Sequence, residues 1–328
     1  MQHDSLQGEV QSALDDLFVI ERELPRGGMS RVFVAFEKAL KRRVVIKVLA
    51  PDLTASLSAE RFRREIGLAA RLQHPHIVPL LSSGLAGTHL YYTMPFVDGE
   101  SLRERMTRER PMPISDVTTV LEAVARALAY AHEEGVVHRD IKPENVMFFH
   151  GQAVVLDFGI GKALMKATNS DSDQLRITQS GMSLGTPMYV APEQAAGDPS
   201  LDHRADLYAL GVVAYEMITG HPPFASRSPE VVIEAHATRK PEPIAARRPD
   251  VPKRLEATVM RMLEKRPADR PATGDDVVQM LGETGTTRIS GRGPVVDTMA
   301  SAPFWVPWTI AGVAMLVALL MTVLYLRR

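Results

Sequence analysis

The sequence predicts an α+β chain of two lobes, a small β-rich one and then a larger helical one, with a single C-terminal transmembrane helix. Three observations carry that expectation. Phe18 to Leu49 holds three short apolar runs broken by turn residues. From Asp116 onward, apolar positions recur at helical spacing. Trp305 to Leu326 carries no charge at all.

Composition narrows the function classes. The chain has 328 residues, 45% of them apolar, enough for a sizeable core. Its 38 basic and 39 acidic residues leave a formal net charge of −1, so no global basic field invites nucleic acid. The absence of cysteine removes disulfides, thiolate metal sites and a cysteine nucleophile. Residues 1–16 are polar and acidic with no apolar run, which is not a signal peptide.

In chain order, Phe18 to Leu24 and Val32 to Phe36 read as strands around the turn Pro25–Arg26–Gly27–Gly28–Met29–Ser30. A glycine-bearing turn there brings backbone N–H groups near phosphates, although most such turns only turn. A third strand, Arg43 to Leu49, has Lys47 as the only charge in its apolar part. A lysine held there needs an anionic partner. Glu65 is a candidate, since it lies beside the stripe Phe62, Ile66 and Ala69 of a helix expected over residues 59–72. The pair His74 and His76 flanks Pro75 and reads as a loop rather than a metal site. Leu90 to Val97 is a strand leading through Asp98–Gly99 to a hinge between the lobes, where a cleft suits an adenine ring. A helix is expected from Asp116 to Glu134, capped by Ser115 and ended by Gly135.

The chemistry concentrates next. His138–Arg139–Asp140–Ile141–Lys142–Pro143–Glu144–Asn145 packs an acid, a base and an amide into eight residues. Two strands, Asn145 to Phe149 and Ala153 to Leu156, turn at His150–Gly151 and bring Asn145 beside Asp157. An amide oxygen and a carboxylate suit a hard cation such as Mg²⁺. Asp140 is placed to accept a proton from a hydroxyl. A metal pair plus a base is what phosphoryl transfer from a nucleotide needs. Taken singly, each acid reads as a solvated charge and His138 as a satisfied core histidine. The polar segment 168–183 ends at Gly185–Thr186–Pro187–Met188–Tyr189–Val190–Ala191–Pro192–Glu193, and Asp206 and Arg270 look like buried charges farther on.

These motifs, in this order from Phe18 to Leu281, resemble the eukaryotic-like Ser/Thr protein kinases, most closely their bacterial membrane-anchored members. The resemblance implies a protein kinase fold. It also implies an ATP-dependent enzyme that transfers the γ-phosphate to protein Ser/Thr hydroxyls with Mg²⁺, or Mn²⁺ in its place. Asp140 would be the catalytic base, Lys142 would contact the γ-phosphate, and Asn145 and Asp157 would hold the metal. Leu24, Pro25, Arg26, Gly27, Gly28, Met29, Ser30, Arg31 and Val32 would form the loop over the phosphates. Lys47, paired with Glu65, would hold the α- and β-phosphates. Val45 would lie near the adenine, Met94 would border the back pocket, and Phe96 and Val97 would form the adenine hinge. Thr186 would help seat the substrate hydroxyl, and Glu193 would pair with Arg270. Arg139 implies activation by loop phosphorylation, with Thr178 and Ser180 as autophosphorylated positions. The loop departs from the usual G-x-G-x-x-G, with Pro25 first and Ser30 third. Proline removes an N–H and stiffens the loop entry, so weaker nucleotide affinity is expected.

The expected organisation is a segment 1–16, a catalytic domain 17–281 (lobes 17–97 and 98–281), a linker 282–303, a transmembrane helix 304–326 and a tail 327–328. The linker is Gly-, Thr- and Ser-rich, with a reach of roughly 25 Å. The uncharged run would span about 33 Å, enough to cross a bilayer. Trp305, Trp308 and Tyr325 sit near its ends, as interfacial aromatics do. The expectation is single-pass anchoring in the cytoplasmic membrane. The catalytic domain would lie in the cytosol, the C-terminus outside, with a homodimer serving trans-autophosphorylation.

Overall fold

The computed structural model describes residues 3–25, 30–49, 66–158 and 187–282. Within them a five-stranded antiparallel sheet precedes a helical body. The strands are β1 (Phe18–Glu23), β2 (Ser30–Glu37), β3 (Arg42–Leu49), β4 (Ser82–Ala86) and β5 (His89–Pro95), ordered β1-β2-β3-β5-β4. Alternation along the strands sorts side chains onto two faces. Val44, Ile46 and Val48 of β3 join Phe33, Ala35 and Tyr91 on one face. Leu49 and Val45 join Leu90, Tyr92 and Met94 on the other, against Ile66 and Ala69 of the helical residues 66–69. Lys47 has the parity of Val45 and Leu49, so its side chain belongs to this second face.

The first face is covered by α1 (His3–Leu14), which sequence reading treated only as a polar segment. Val10 and Leu14 are buried against Phe18, Phe33 and Ile46, with Leu6 packed alongside. Leu6, Val10 and Leu14 recur every four residues, a narrow apolar stripe inside a polar composition. Gln11 fastens the junction: its Nε2 donates to the Phe18 carbonyl (3.0 Å) and its Oε1 accepts from the Ile20 N–H (2.7 Å).

The helical body begins with α2 (Leu102–Arg108) and α3 (Ile114–Glu133). A hairpin follows, β6 (Val146–Phe149) and β7 (Gln152–Val155). Then come α4 (Pro192–Ala195), α5 (Arg204–Thr219), α6 (Pro229–Thr238), α7 (Ile244–Arg247), α8 (Lys253–Met262) and α9 (Gly274–Gly282). Helix α5 is buried from Ala205 to Ile218 and forms the centre of the body. One expectation about α3 is corrected. Ser115 does not cap it; the helix starts earlier because the Pro113 carbonyl accepts the Asp116 and Val117 N–H groups (3.1 and 3.0 Å). The Ser115 hydroxyl instead donates to Asp116 Oδ1 (3.1 Å).

Residues 76–78 tie the sheet's lobe to the hairpin. Val78 N donates to the Val155 carbonyl (3.0 Å), Val155 N donates to the His76 carbonyl (2.8 Å), and His76 Nδ1 bonds the Ala153 carbonyl (2.9 Å). That contact settles the His74–Pro75–His76 stretch as an anchored loop. Gly99, at the other crossing, lies so close to the hairpin that a Cβ there would meet the Phe148 carbonyl oxygen at 1.9 Å. Among the described residues, no helix is long and apolar enough to cross a membrane. Residues 283–328, which carry most of the expected linker and all of the expected span, lie outside them.

Candidate active site

The site is built on the loop between α3 and the hairpin, and Asp206 shapes that loop from below. Its carboxylate, 1% exposed, accepts the backbone N–H of His138 (2.7 Å) and of Arg139 (2.7 Å) and bonds His132 Nε2 (2.9 Å). Burial raises the Asp206 pKa, but His132 and these N–H donors outweigh it and leave the pKa below the ordinary carboxylate value. The clamp explains an unusual backbone. Arg139 sits at φ 63°, a left-handed conformation costing a non-glycine roughly 1–2 kcal/mol. Two charge-assisted bonds from adjacent N–H groups suffice to hold it.

His138 is a satisfied core histidine. It is fully buried, its Nε2–H donates to the Leu156 carbonyl (2.8 Å), and its Nδ1 accepts the Asp140 N–H (3.2 Å). Desolvation lowers its pKa, so it stays neutral. It thereby links the residue before Asp157 to the backbone of Asp140.

Asp140 is half-buried. Lys142 Nζ donates to its Oδ2 (2.8 Å), and Asn145 Nδ2 donates to its Oδ2 (3.2 Å) and its carbonyl (2.8 Å). Asn145 stands in the turn Pro143–Asn145 rather than in the strand, and its carbonyl accepts the Leu156 N–H (2.8 Å). Register Val146↔Val155 then sets Asn145 next to the residue preceding Asp157. Asp157 also adopts a left-handed backbone, φ 54°.

Across the cleft, Lys47 Nζ donates to Asp157 Oδ2 (2.8 Å). Among the described residues the anionic partner of Lys47 is Asp157, 110 positions away. Glu65, proposed from the sequence, lies outside the described residues. Tyr92, in register with Lys47 on β5, donates its hydroxyl to Asp157 Oδ1 (3.0 Å). Burial raises the Asp157 pKa, but the Lys47 charge and the two hydrogen bonds reverse that and keep it ionised. Burial and Asp157 together push the Tyr92 pKa far up, so the phenol remains a donor. Tyr92 was not anticipated; its cross-strand position opposite Lys47 was the available signal.

The other expected positions sort as follows. Leu24 N bonds the Val32 carbonyl (2.8 Å), Pro25 follows it, and Ser30 opens β2. Arg31 is bidentate to Glu23. Val45 and Met94 are cross-strand partners, while Phe96 and Val97 follow β5, half-buried. Arg26, Gly27, Gly28, Met29, Thr178, Ser180 and Thr186 fall outside the described residues. Glu193 and Arg270 form a buried bidentate pair (2.6 and 2.8 Å). Sequence reading also missed Arg103, which bonds Glu144 and Glu216 (both 2.8 Å) and the Tyr189 hydroxyl. An arginine on a short polar helix carries no local sign of such a role.

A sheet lobe and a helical lobe, with a lysine reaching from the first to an aspartate of the second, define the two-lobed protein kinase fold. Residues 18–281 match the family described as protein kinase domain, and the chain belongs to it. It is 40% identical over 265 residues to serine/threonine-protein kinase pkn3 of Myxococcus xanthus, covering 78% of this chain and 48% of that protein. It is 40% identical over 272 residues to PknB of Mycobacterium tuberculosis, covering 81% and 42%. It thus spans less than half the length of these curated relatives. The crystal structure of a point mutant of the Mycobacterium tuberculosis PknI kinase domain superposes with a TM-score of 0.61 at 31% identity, covering 81% of this chain and 96% of that one.

Proposed function

We propose that this chain is an ATP-dependent Ser/Thr protein kinase, tethered to the cytoplasmic membrane and acting in signalling. The observation that carries the reading is the Asp140 carboxylate held by Lys142 and Asn145 beside the Lys47–Asp157 pair.

The donor set fits a nucleotide-bound Mg²⁺. Asn145 spends its Nδ2 on Asp140, so its Oδ1 is the atom it would offer a cation, and Asp157 adds an ionised carboxylate. Two hard oxygen donors match a cation that takes its remaining ligands from phosphates and water. Among the described residues no larger acidic or histidine cage competes for it. The bound ion would neutralise charge on the β- and γ-phosphates.

The chain's own residues do the rest. Asp140 accepts the proton of the substrate hydroxyl as the hydroxyl oxygen bonds to the γ-phosphorus and the bond from that phosphorus to the β–γ bridging oxygen breaks, releasing ADP. Lys142, bonded to Asp140, reaches the γ-phosphate and offsets its charge. Lys47 holds the α- and β-phosphates from the opposite lobe, Val45 lies near the adenine, Met94 borders the back pocket, and Phe96 and Val97 form the adenine hinge. Protein relatives named as Ser/Thr kinases support a protein substrate. The uncharged run Trp305 to Leu326 supports the membrane anchor. Loop phosphorylation at Thr178 or Ser180, docking on Arg139, would regulate it, with neighbouring copies as enzyme and substrate.

The test is ³²P transfer from ATP–Mg²⁺ by the full chain beside its Asp140→Asn variant. Self-labelling on Ser/Thr by the wild type alone supports the reading. Equal absence of label from both, with ATP still bound, would make the chain a nucleotide-binding scaffold whose Pro25 loop does not turn over.

A further inference from the structure

Arg103 stands at the start of α2 and reaches three other elements at once. Its Nε donates to Glu144 Oε1 (2.8 Å) in the turn Pro143–Asn145, and its Nη1 donates to Glu216 Oε1 (2.8 Å) on α5. Its Nη2 donates to the Tyr189 hydroxyl, in the turn Pro187–Tyr189. Tyr189 in turn donates to Glu216 Oε2, and the guanidinium lies 5.9 Å from its ring centroid. Burial lowers the Arg103 pKa, but the bonds to Glu216 and Glu144 outweigh it and raise it. Burial and then Glu216 raise the Tyr189 pKa, so the phenol keeps the proton it donates.

The elements joined are those that carry the chemistry. Glu144 immediately precedes Asn145 and follows Lys142 by two positions. Tyr189 and Val190 line one small cavity with Asp140 and Lys142. The base from which Arg103 reaches them is itself fixed. Ser101 and Glu104 close a reciprocal cap on the first turn of α2 (Ser101 N to Glu104 Oε2, 2.7 Å; Glu104 N to Ser101 Oγ, 3.2 Å), and Leu102 and Met106 are buried. The Phe148 N–H donates to the Glu100 carbonyl (2.8 Å) and Ser101 bridges to Met147, so the approach to α2 is pinned to β6.

A counter-charge for Glu216, which is 4% exposed, accounts for one of the three contacts. It does not account for Glu144, whose side chain is 47% exposed and gains little stability from a partner. A planar fork that divides its nitrogens among three elements fixes their relative positions, which a point charge does not.

We propose that Arg103 is a positioning residue for phosphoryl transfer to the protein acceptor, an inference that rests on the kinase reading above. It holds the turn carrying Asn145, and with it Asp140, in register with the Pro187–Tyr189 turn, which follows the Thr186 expected to seat the acceptor hydroxyl. Arg103 acts through Glu144 and Tyr189 rather than on ATP. Transfer falls steeply when the proton acceptor and the attacking hydroxyl are misplaced.

The experiment compares the full-length wild type with Arg103→Lys, Arg103→Met and the double variant Arg103→Met/Glu216→Gln. It reads thermal melting, ³²P transfer from ATP–Mg²⁺ to the chain itself and to casein, and amide hydrogen exchange over residues 139–149 and 187–195. Arg103→Met strands the Glu216 charge and should melt lower. The double variant removes that charge and should melt near wild type. Its kcat should nonetheless stay down by roughly tenfold or more, with KM for ATP within about twofold, and both segments should exchange faster than in wild type. Arg103→Lys, which keeps the charge without the fork, should melt near wild type with an intermediate kcat. Recovery of kcat in the double variant, or unchanged exchange in the two segments, would reduce Arg103 to a counter-charge and overturn the proposal. If the wild type labels neither itself nor casein, the kinase reading fails, and the exchange measurement alone decides whether Arg103 couples the two segments.

Discussion

Replacing Arg270 by methionine tests how the helical lobe is held together. The Arg270 side chain is fully buried and makes five hydrogen bonds: two to Glu193 (2.6 and 2.8 Å) and three to the carbonyls of Glu264, Lys265 and Arg204 (2.8, 3.0 and 3.1 Å). Arg270→Met leaves Glu193, 8% exposed, as a buried carboxylate with no counter-charge. Breaking such a pair from one side costs about 3–5 kcal/mol. At about 2–4 °C per kcal/mol for a domain of this size, Tm should fall by roughly 6–20 °C. Adding Glu193→Leu removes the stranded charge and leaves only three carbonyls short of a donor, so the double variant should regain about 2 kcal/mol. The assay is thermal and urea unfolding of wild type, both singles and the double. If the double is no more stable than Arg270→Met, the stranded carboxylate is not the source of the loss and the reasoning fails.

Four further outcomes follow from the same contacts. Lys47→Met should cut kcat/KM for ATP by more than about a hundredfold, whereas Tyr92→Phe, which removes one bond to the Asp157 carboxylate, should cost under about tenfold; similar losses in steady-state kinetics would refute the ranking. Gly99→Ala should impair both stability and transfer, because a Cβ would strike the Phe148 carbonyl of the hairpin that carries the site; unchanged melting would contradict it. Gly274→Ala should destabilise without altering KM for ATP, since its Cβ would meet the Ala125 carbonyl at 2.2 Å, far from the cleft. His236, buried and near Lys265, has its pKa lowered to about 4, first by desolvation and then by that charge. Its stabilising contribution is complete above the ordinary histidine pKa near 6.5. It declines as pH falls toward 4, by up to roughly 3 kcal/mol. His236→Asn should flatten the pH dependence of stability in that window, and an unchanged slope would exclude His236 as its source.

Much of the fold was legible in the sequence, for a local reason. The apolar runs of β2, β3 and β5, the His150–Gly151 turn, the glycine stop of α3 and the eight-residue run from His138 are written in neighbouring residues. The two lobes and the order of their motifs followed from them. Less legible were features whose signal is diluted by composition. The stripe of Leu6, Val10 and Leu14 sits in a polar, acidic segment, so α1 read as a tail although it seals one face of the sheet. At α3, the Pro113 carbonyl rather than the expected serine side chain begins the helix, two residues before the start read from the sequence, because the helical backbone already holds at Ile114 and Ser115.

The sequence by itself determined which groups are present: carboxylates at Asp140 and Asp157, an amide at Asn145, and a lone lysine at Lys47 in an apolar run, each set by residue type and short spacing. Only the tertiary structure decided who meets whom. Lys47 pairs with Asp157 across 110 positions, Tyr92 donates to that same carboxylate, and Asp206 reaches back 68 positions to hold His138. Those choices rest on desolvation. A buried charge takes the partner that packing delivers to it, and packing is a property of the whole chain rather than of any stretch within it.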